Sequence, residues 1–96
     1  MSEFGLDQKL QRSPQADGTL AGDRAAIYHR ETRKAVTLNP VGTLLWQALE
    51  VPLSQADMVA RLHAQFPQVP VETLEADVAK FVAELTGHSL LEPSAS

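Results

Sequence analysis

Residues 34–49 read Lys-Ala-Val-Thr-Leu-Asn-Pro-Val-Gly-Thr-Leu-Leu-Trp-Gln-Ala-Leu, and they join a short strand directly to an amphipathic helix. Asn39 suits the N-cap, where its side-chain oxygen accepts a backbone N–H that would otherwise lack a partner. Pro40 suits the first helical position, because it has no N–H to satisfy and its φ is already helical. Helical spacing then predicts a buried face made by Val41, Leu44, Leu45, Ala48 and Leu49. We therefore expect strands before this junction and helices after it.

Three short strands are predicted on the amino-terminal side of the junction. Residues 13–18 have turn composition, residues 19–21 form the first candidate strand, and residues 24–29 form the second. Residues 34–38 form the third. The segment between the last two strands, residues 30–33, lacks the Asn-Gly or Asp-Gly pair of a two-residue turn, so we expect a four-residue hairpin loop.

Two further helices are predicted after the first. Ser54 suits the N-cap of the second helix, and Asp57 follows at the spacing of a capping box. The apolar face of this helix comprises Met58, Val59, Leu62 and Phe66, and Pro67 ends it. The third helix starts near Pro70, and we expect Gly87 to close it in a left-handed conformation. Its apolar stripe consists of Val71, Leu74, Val78, Phe81, Val82 and Leu85, after which Leu90 and Leu91 return to the core.

This order predicts an α+β domain with three short antiparallel strands followed by three helices, similar to a winged helix-turn-helix. A chain of 96 residues has room for one hydrophobic core, and 44% of its residues are hydrophobic. We expect a flexible arm at residues 1–12, a single domain at residues 13–92 and a flexible tail at residues 93–96.

Composition and charge exclude several classes of protein. The sequence has no cysteine and therefore no disulfide or thiolate chemistry. It has neither an apolar run long enough to cross a membrane nor a signal peptide, so we expect a cytoplasmic protein without a membrane partner. Residues 1–49 carry six basic and five acidic groups, whereas residues 50–96 carry two basic and seven acidic ones. The second half has the wrong sign for binding nucleic acid.

No arrangement for catalysis or metal binding is visible in the sequence. The histidines at positions 29, 63 and 88 lie on different elements and share no ligand spacing. The third helix carries carboxylates outside its apolar stripe, which indicates a solvated face rather than acid/base chemistry. These carboxylates are Glu72, Glu75, Asp77 and Glu84. We therefore expect no enzymatic activity, no metal and no cofactor.

Three features have both a structural and a functional interpretation. A basic cluster around the hairpin can protect an edge strand from aggregation, or it can attract an acidic peptide. The cluster consists of Arg24, Arg30, Arg33 and Lys34. Trp46 lies at the border of the first helix's apolar face, where it is either a core anchor or a ligand platform. The third helix's wide apolar stripe is either core throughout or in part the wall of a groove beside the last strand.

Two segments resemble the PqqD-like family, the small peptide chaperones named after pyrroloquinoline quinone biosynthesis. Residues 35–49, Ala-Val-Thr-Leu-Asn-Pro-Val-Gly-Thr-Leu-Leu-Trp-Gln-Ala-Leu, look like the family's strand–helix junction. Residues 69–85 and the closing Ser-Leu-Leu at 89–91 are similar to its last helix and final turn. The resemblance spans roughly residues 19–92 and implies a winged helix-turn-helix of three strands and three helices.

The resemblance also implies a non-catalytic recognition domain for ribosomally synthesised, post-translationally modified peptides. The leader segment of the precursor would add as a strand to the third strand and pack against the third helix. On this sequence the strand is Lys34, Ala35, Val36, Thr37 and Leu38, and the groove wall is Leu74, Asp77, Val78, Phe81 and Glu84. The implied partners are the precursor peptide and a modifying enzyme, such as a radical SAM maturase or a protease.

Two other functions fit the same fold class, a winged-helix DNA-binding regulator and a structural interaction domain. A DNA reader would place the third helix against phosphates, yet this helix sets four carboxylates against the single Lys80. Because such a surface repels phosphates, we expect no nucleic-acid partner. The interaction domain remains an open alternative.

Overall fold

The computed structural model describes residues 5–94, within which five strands and three helices are found. In chain order they are β1 (Leu10–Arg12), β2 (Ala16–Ala21), β3 (Arg24–His29), β4 (Ala35–Thr37), α1 (Pro40–Ala48), α2 (Gln55–Gln65), α3 (Val71–Gly87) and β5 (Leu91–Pro93). The predicted α+β class is confirmed, and every described helix follows Asn39. The winged helix-turn-helix resemblance stays a prediction. Residues 1–4 and 95–96, the ends of the predicted arm and tail, lie outside the described residues.

The strands form two antiparallel sheets. The larger sheet has the order β2-β3-β4, so β3 is central and β2 and β4 are edges. Its register pairs Ile27 with Gly18 on one side and with Val36 on the other. The smaller sheet pairs β1 with β5, and Leu10 of β1 also bridges to Leu53 between the first two helices. The smaller sheet therefore joins the two ends of the domain.

The hairpin between β3 and β4 agrees with the sequence prediction. The His29 N–H donates to the Lys34 carbonyl oxygen at 2.9 Å and closes a loop of four residues, 30–33. Arg33 ends this loop with a φ of 63°, in the left-handed region. The predicted four-residue loop is thus confirmed.

Strand β2 begins at Ala16, earlier than the predicted 19–21, and includes residues 16–18, for which the sequence predicts a turn. Position 18, inside the strand, is a glycine because neighbouring side chains fill the space that a Cβ would occupy. A Cβ at this position would lie 2.9 Å from Ile27 Cδ1 and 3.0 Å from Trp46 Nε1. Close packing under the Trp46 ring, rather than turn geometry, explains the glycine.

The sequence does not predict strands β1 and β5, because it predicts a flexible arm through residue 12 and a tail from residue 93. Because β5 follows α3, the expectation of strands only before the junction is wrong for β5. Both strands are three residues long, and long-range contacts hold β1 in place. Leu10 is fully buried, and the Arg12 guanidinium lies 4.6 Å from the Trp46 ring centroid and donates to the Trp46 carbonyl oxygen.

The start of α1 follows the local chemistry of the sequence. The Gly42 N–H donates to the Asn39 side chain at 2.7 Å, and Pro40 is the first helical residue, as predicted. The helix is also tied to the larger sheet, because the buried Thr43 hydroxyl accepts the Ala25 N–H at 2.9 Å. These two bonds fix where α1 starts and how it sits on β3.

The carboxyl end of α3 departs from the prediction for Gly87. Gly87 is the last helical residue, and the left-handed residue is Ser89, with a φ of 58°. The Leu90 N–H donates to the Leu85 carbonyl oxygen at 2.8 Å, and the Ser89 N–H donates to Thr86 at 3.1 Å. These are the two bonds of a Schellman motif with Ser89 at C′. Leu85 and Leu90, both fully buried, make its hydrophobic contact, and this burial sets the register of the turn.

The core combines the inner faces of the three helices with β3 and the two end strands. Its most completely buried members are Leu10, Ile27, Leu45, Met58, Leu85, Leu90, Val78 and Val82. The predicted α3 stripe is buried from Leu74 onward, but Val71 is 41% exposed, so its inclusion in the stripe is wrong. Trp46 is 6% exposed, which supports its interpretation as a core anchor. Leu90 and Leu91 return to the core as predicted.

A glycine substitution tests the register of the α3 terminus. We expect Gly87→Ala to raise the free energy of unfolding by about 0.5–1 kcal/mol, because alanine loses less backbone entropy in a helix. A Cβ at Gly87 would meet nothing within 4 Å. The control is Gly22→Ala, which should lose about 1 kcal/mol because Gly22 has a φ of 64°. Denaturant unfolding measures both changes, and a loss of stability in Gly87→Ala would contradict the helical assignment.

The amino terminus of α2 predicts a pH dependence of stability. Asp57 and Ser54 form the predicted capping box, and Lys9 Nζ lies 2.7 Å from the Asp57 carboxylate. The Lys9 hydrogen bond, followed by the Ser54 N–H, lowers the pKa of Asp57 to about 2. The folded pKa lies below the unfolded value of about 3.9, so the ionised carboxylate stabilises the fold above that value. This contribution is lost as the pH falls through about 2.

Asp57→Asn should therefore lower the midpoint of thermal unfolding at neutral pH, and the difference from the unmodified chain should shrink as the pH approaches 2. The exposed Asp7 supplies the control, because Asp7→Asn should change the midpoint little at any pH. Thermal melts across the acid range provide the measurement. A deficit in Asp57→Asn that stays constant down to pH 2 would refute the stabilising role of the ionised carboxylate.

Candidate functional site

Strand β4 is hydrogen-bonded along one side. Among residues 5–94 it pairs with β3, and no strand lies on its other side. The His29 N–H donates to the Lys34 oxygen at 2.9 Å, and the Leu38 N–H donates to the Ala25 oxygen at 2.8 Å. Both ends of β4 are thereby fixed to β3.

The other side of β4 presents free backbone groups. Inward- and outward-facing residues alternate along an antiparallel strand. Because Lys34 and Leu38 bond inward, Val36 between them does so too, opposite Ile27. The N–H and C=O groups of Ala35 and Thr37 therefore point away from β3. This edge offers two donors and two acceptors to an added strand.

A groove of about 530 Å³ lies beside this edge, between the end of β4, the start of α1 and the middle of α3. Its volume is within the range of sites that bind ligands in proteins. The residues that line it are Arg24, Thr37, Leu38, Asn39, Val41, Gly42, Leu45, Asp77, Lys80, Phe81, Ala83 and Glu84.

The apolar lining of the groove is continuous with the core. Leu38 and Phe81 are exposed by only 3% and 6%, so each presents a small part of its surface to the groove. Gly42 brings α1 close to both. A Cβ at position 42 would lie 3.4 Å from Leu38 Cβ and 3.5 Å from Phe81 Cδ1. A Cβ at this position would therefore be in ordinary van der Waals contact with both side chains.

Four charged side chains of both signs line the groove, Arg24 and Lys80 against Asp77 and Glu84. Within the described part of the chain, the ion pairs lie elsewhere, at Lys9–Asp57 and Arg30–Asp17. The four groove charges thus remain available to a ligand. In the basic cluster around the hairpin, Arg30 is already bound to the Asp17 carboxylate at 3.1 Å.

The structure places the ten predicted site residues in three settings. The groove is lined by Thr37, Leu38, Asp77, Phe81 and Glu84. Lys34 is exposed just before β4, Ala35 is exposed at its start, and Val36 is half-buried against β3. Leu74 and Val78 lie in the core, exposed by 3% and 1%, and do not line the groove. The α3 wall is therefore displaced from the centre of the apolar stripe toward its charged flank.

Sequence reasoning missed the contribution of α1 to the groove. Asn39, Val41, Gly42 and Leu45 line it because the chain turns at Asn39 from β4 into α1, so both elements border the same space. Helical spacing could have placed Lys80 in the groove wall. It lies three residues after Asp77 and four before Glu84, and therefore shares their face of α3. The four carboxylates of α3 are all exposed, which confirms the predicted solvated face.

The second free edge of the larger sheet, β2, contributes no residue to the groove beside β4. The Arg30 N–H donates to the Gln15 oxygen at 2.9 Å, so alternation points residues 16, 18 and 20 outward. The Ala16 N–H is already donated to Ser13 at 3.0 Å. Neither the groove beside β4 nor a smaller one of about 280 Å³ between α1 and α2 includes a β2 residue.

Between residues 5 and 94, no group of three or more His, Cys, Asp or Glu side chains is placed to hold a metal ion. In the same range, each helix lacks the combined length and apolarity that a bilayer crossing requires.

Comparison with known proteins identifies the family. The model of the family described as coenzyme PQQ synthesis protein D (PqqD) matches residues 24–91, from the start of β3 to the start of β5. The chain belongs to the PqqD family. This confirms the resemblance drawn from the strand–helix junction and the last helix. The groove and the free edge of β4 lie within the matched region.

A solved structure described as TbiB1 in complex with the TbiA(beta) leader peptide is similar to this PqqD-family chain. The two share 26% sequence identity at a TM-score of 0.78, and the match covers 90% of this chain and 99% of the other. A search of curated proteins found no match.

Substitution of Phe81 tests whether its ring contributes to the core as well as to the groove. We expect Phe81→Ala to lower the free energy of unfolding by about 3 kcal/mol, because most of the ring is packed in the core. The control is Lys80→Ala on the same helix, where an exposed side chain should change stability by less than about 0.5 kcal/mol. Denaturant unfolding distinguishes the two. A loss below about 1 kcal/mol in Phe81→Ala would show that the ring belongs to the groove alone.

Proposed function

We propose that this protein binds the leader segment of a ribosomally made precursor peptide and presents it to a modifying enzyme, without itself catalysing the modification. Membership of the PqqD family supports a role in peptide modification. The similarity to a protein solved in complex with a leader peptide supports a peptide as the ligand. The partner enzyme would be a radical SAM maturase or a protease, and the site of action would be the cytoplasm, where precursors are synthesised.

The single observation that carries the proposal is the free edge of β4 beside the groove. The outward N–H and C=O groups of Ala35 and Thr37 can bond to an extended peptide without any change in the sheet. A strand added there would extend the order β2-β3-β4 by one member and run along the groove wall made by α3. Backbone bonds of this kind supply affinity that does not depend on sequence.

Selectivity would come from the side chains of the added strand. Residues directly opposite each other in neighbouring strands share a face of the sheet. Leu38 lies on the buried face, so peptide residues opposite Val36 and Leu38 would point toward the apolar part of the groove. The leader would therefore carry apolar residues two positions apart. Charged residues flanking them would meet Arg24, Lys80, Asp77 and Glu84.

The test requires a peptide probe, which a displayed library of random peptides selected against the whole chain supplies. We expect the library to yield extended peptides that alternate apolar and polar residues. Enrichment of no peptide, or binding of duplex DNA with a steep salt dependence in its place, would overturn the proposal.

Proline substitutions then test strand addition with the selected peptide. Ala35→Pro and Thr37→Pro each remove one outward N–H, and proline is tolerated on an edge strand. We expect each to reduce peptide affinity at least about tenfold while the chain stays folded, since a bond donor is lost and the ring obstructs the added strand. Thr37→Ala should change affinity little, because the bonds involve the backbone. Isothermal titration calorimetry and circular dichroism on the same samples provide the measurement.

Two further variants serve as controls. Leu20→Pro removes an outward N–H from the other edge, β2, and should leave the affinity unchanged. Val36→Pro removes an inward N–H and should destabilise the β3–β4 pairing itself. If Ala35→Pro and Thr37→Pro stay folded and bind as tightly as the unmodified chain, the peptide does not add to β4.

A further inference from the structure

His29, the last residue of β3, is bonded to the loop that leads into β4. Its side chain is buried, and its Nδ1 accepts the N–H groups of Glu31 at 3.2 Å and Thr32 at 3.3 Å. Its backbone carbonyl accepts the Arg33 N–H at 2.7 Å, and its backbone N–H donates to Lys34 at 2.9 Å. One residue therefore makes four of the hydrogen bonds that shape this loop.

We infer that His29 is the positioning residue for the peptide-binding edge, with its unprotonated Nδ1 holding the β3–β4 loop in the conformation that sets the register of Ala35 and Thr37. This inference rests on the proposed function. The imidazole acts here as asparagine and aspartate side chains act in turns, where an oxygen accepts the N–H groups two and three residues ahead. Among the described residues, the Glu31 and Thr32 N–H groups have no other hydrogen-bond acceptor. The imidazole is therefore what orders this part of the loop.

The position of the loop matters because β4 is short. The carboxyl end of the strand is fixed by the Leu38–Ala25 bond and by the Asn39 cap that starts α1. The amino end depends on the loop that His29 closes. Since β4 has only three residues, displacement of its amino end moves Ala35, the first of the two outward residues, out of line with Thr37.

The acceptor at Nδ1 gives the inference a specific test. The Glu31 and Thr32 N–H groups both require a lone pair at this position. An asparagine side chain offers an oxygen there, whereas alanine offers no acceptor. Asparagine should therefore keep the loop in place, and alanine should release it and weaken peptide binding.

The experiment compares His29→Asn with His29→Ala in the whole chain, using the library-selected peptide as the probe. Asparagine places Oδ1 near the position of Nδ1 and stays neutral, so at about pH 7.5 its affinity should remain within about threefold of the unmodified chain. Alanine removes the acceptor and should weaken binding about tenfold. The control His63→Ala, on the exposed side of α2, should keep the unmodified affinity.

A readout without peptide keeps the test independent of the proposed function. Amide exchange at Glu31 and Thr32, followed by NMR, should be faster in His29→Ala than in His29→Asn. If the unmodified chain selects no peptide, the proposed function fails, and equal exchange rates in the two variants would separately refute the loop-holding role. If the peptide binds but the unmodified chain and both His29 variants share one affinity, the inference fails while the proposed function stands.

Discussion

The hydrogen bond from the Gly42 N–H to the Asn39 side chain is the constraint from which the rest of the site follows. It converts an extended segment into a helix within one residue, because Asn39 caps α1 while Pro40 has no N–H to place. The chain therefore leaves the sheet immediately after Leu38. The Ala25 N–H then finds its partner in the Thr43 hydroxyl of α1 rather than in another strand. Strand β4 ends early, and a groove opens between it and α3.

A free edge strand beside a groove is a liability, and this chain limits it through the length and the charge of β4. Free edges invite pairing with other chains, and natural proteins limit this with short strands and charged residues. Here β4 is three residues long, follows Arg33 and Lys34, and is flanked by groove charges of both signs. Such an edge discourages indiscriminate pairing. Under the proposed function, it would accept a strand whose side chains match the apolar lining and the charges of the groove.

The parts of the fold that the sequence predicts are those that local chemistry determines. The Asn39 cap and the box of Ser54 and Asp57 each involve residues at most three positions apart, and both are found as predicted. Strands β1 and β5 were missed because their pairing joins the two ends of the domain. The end of α3 was misplaced because burial of Leu90 shifts the left-handed residue from Gly87 to Ser89.

The same distinction holds for the candidate site. The edge 34–38 follows from the hairpin pattern and the family resemblance, but which of its residues point outward depends on the pairing with β3. The α3 stripe predicted a wall that includes Leu74 and Val78, and both face the core instead. A helical wheel gives the buried face, whereas the packing of β4 and α1 decides which flank of it borders the groove. Asp77, Lys80 and Glu84 lie on that flank.

The most direct measurement of the central claim is residue-resolved amide hydrogen exchange with and without a bound peptide. Strand addition to β4 predicts that the amides of Ala35 and Thr37 become protected on binding, while that of Val36, already bonded to β3, changes little. Protection of Gly18 and Leu20 on β2, or no change at Ala35 and Thr37 in the presence of a bound peptide, would contradict the account.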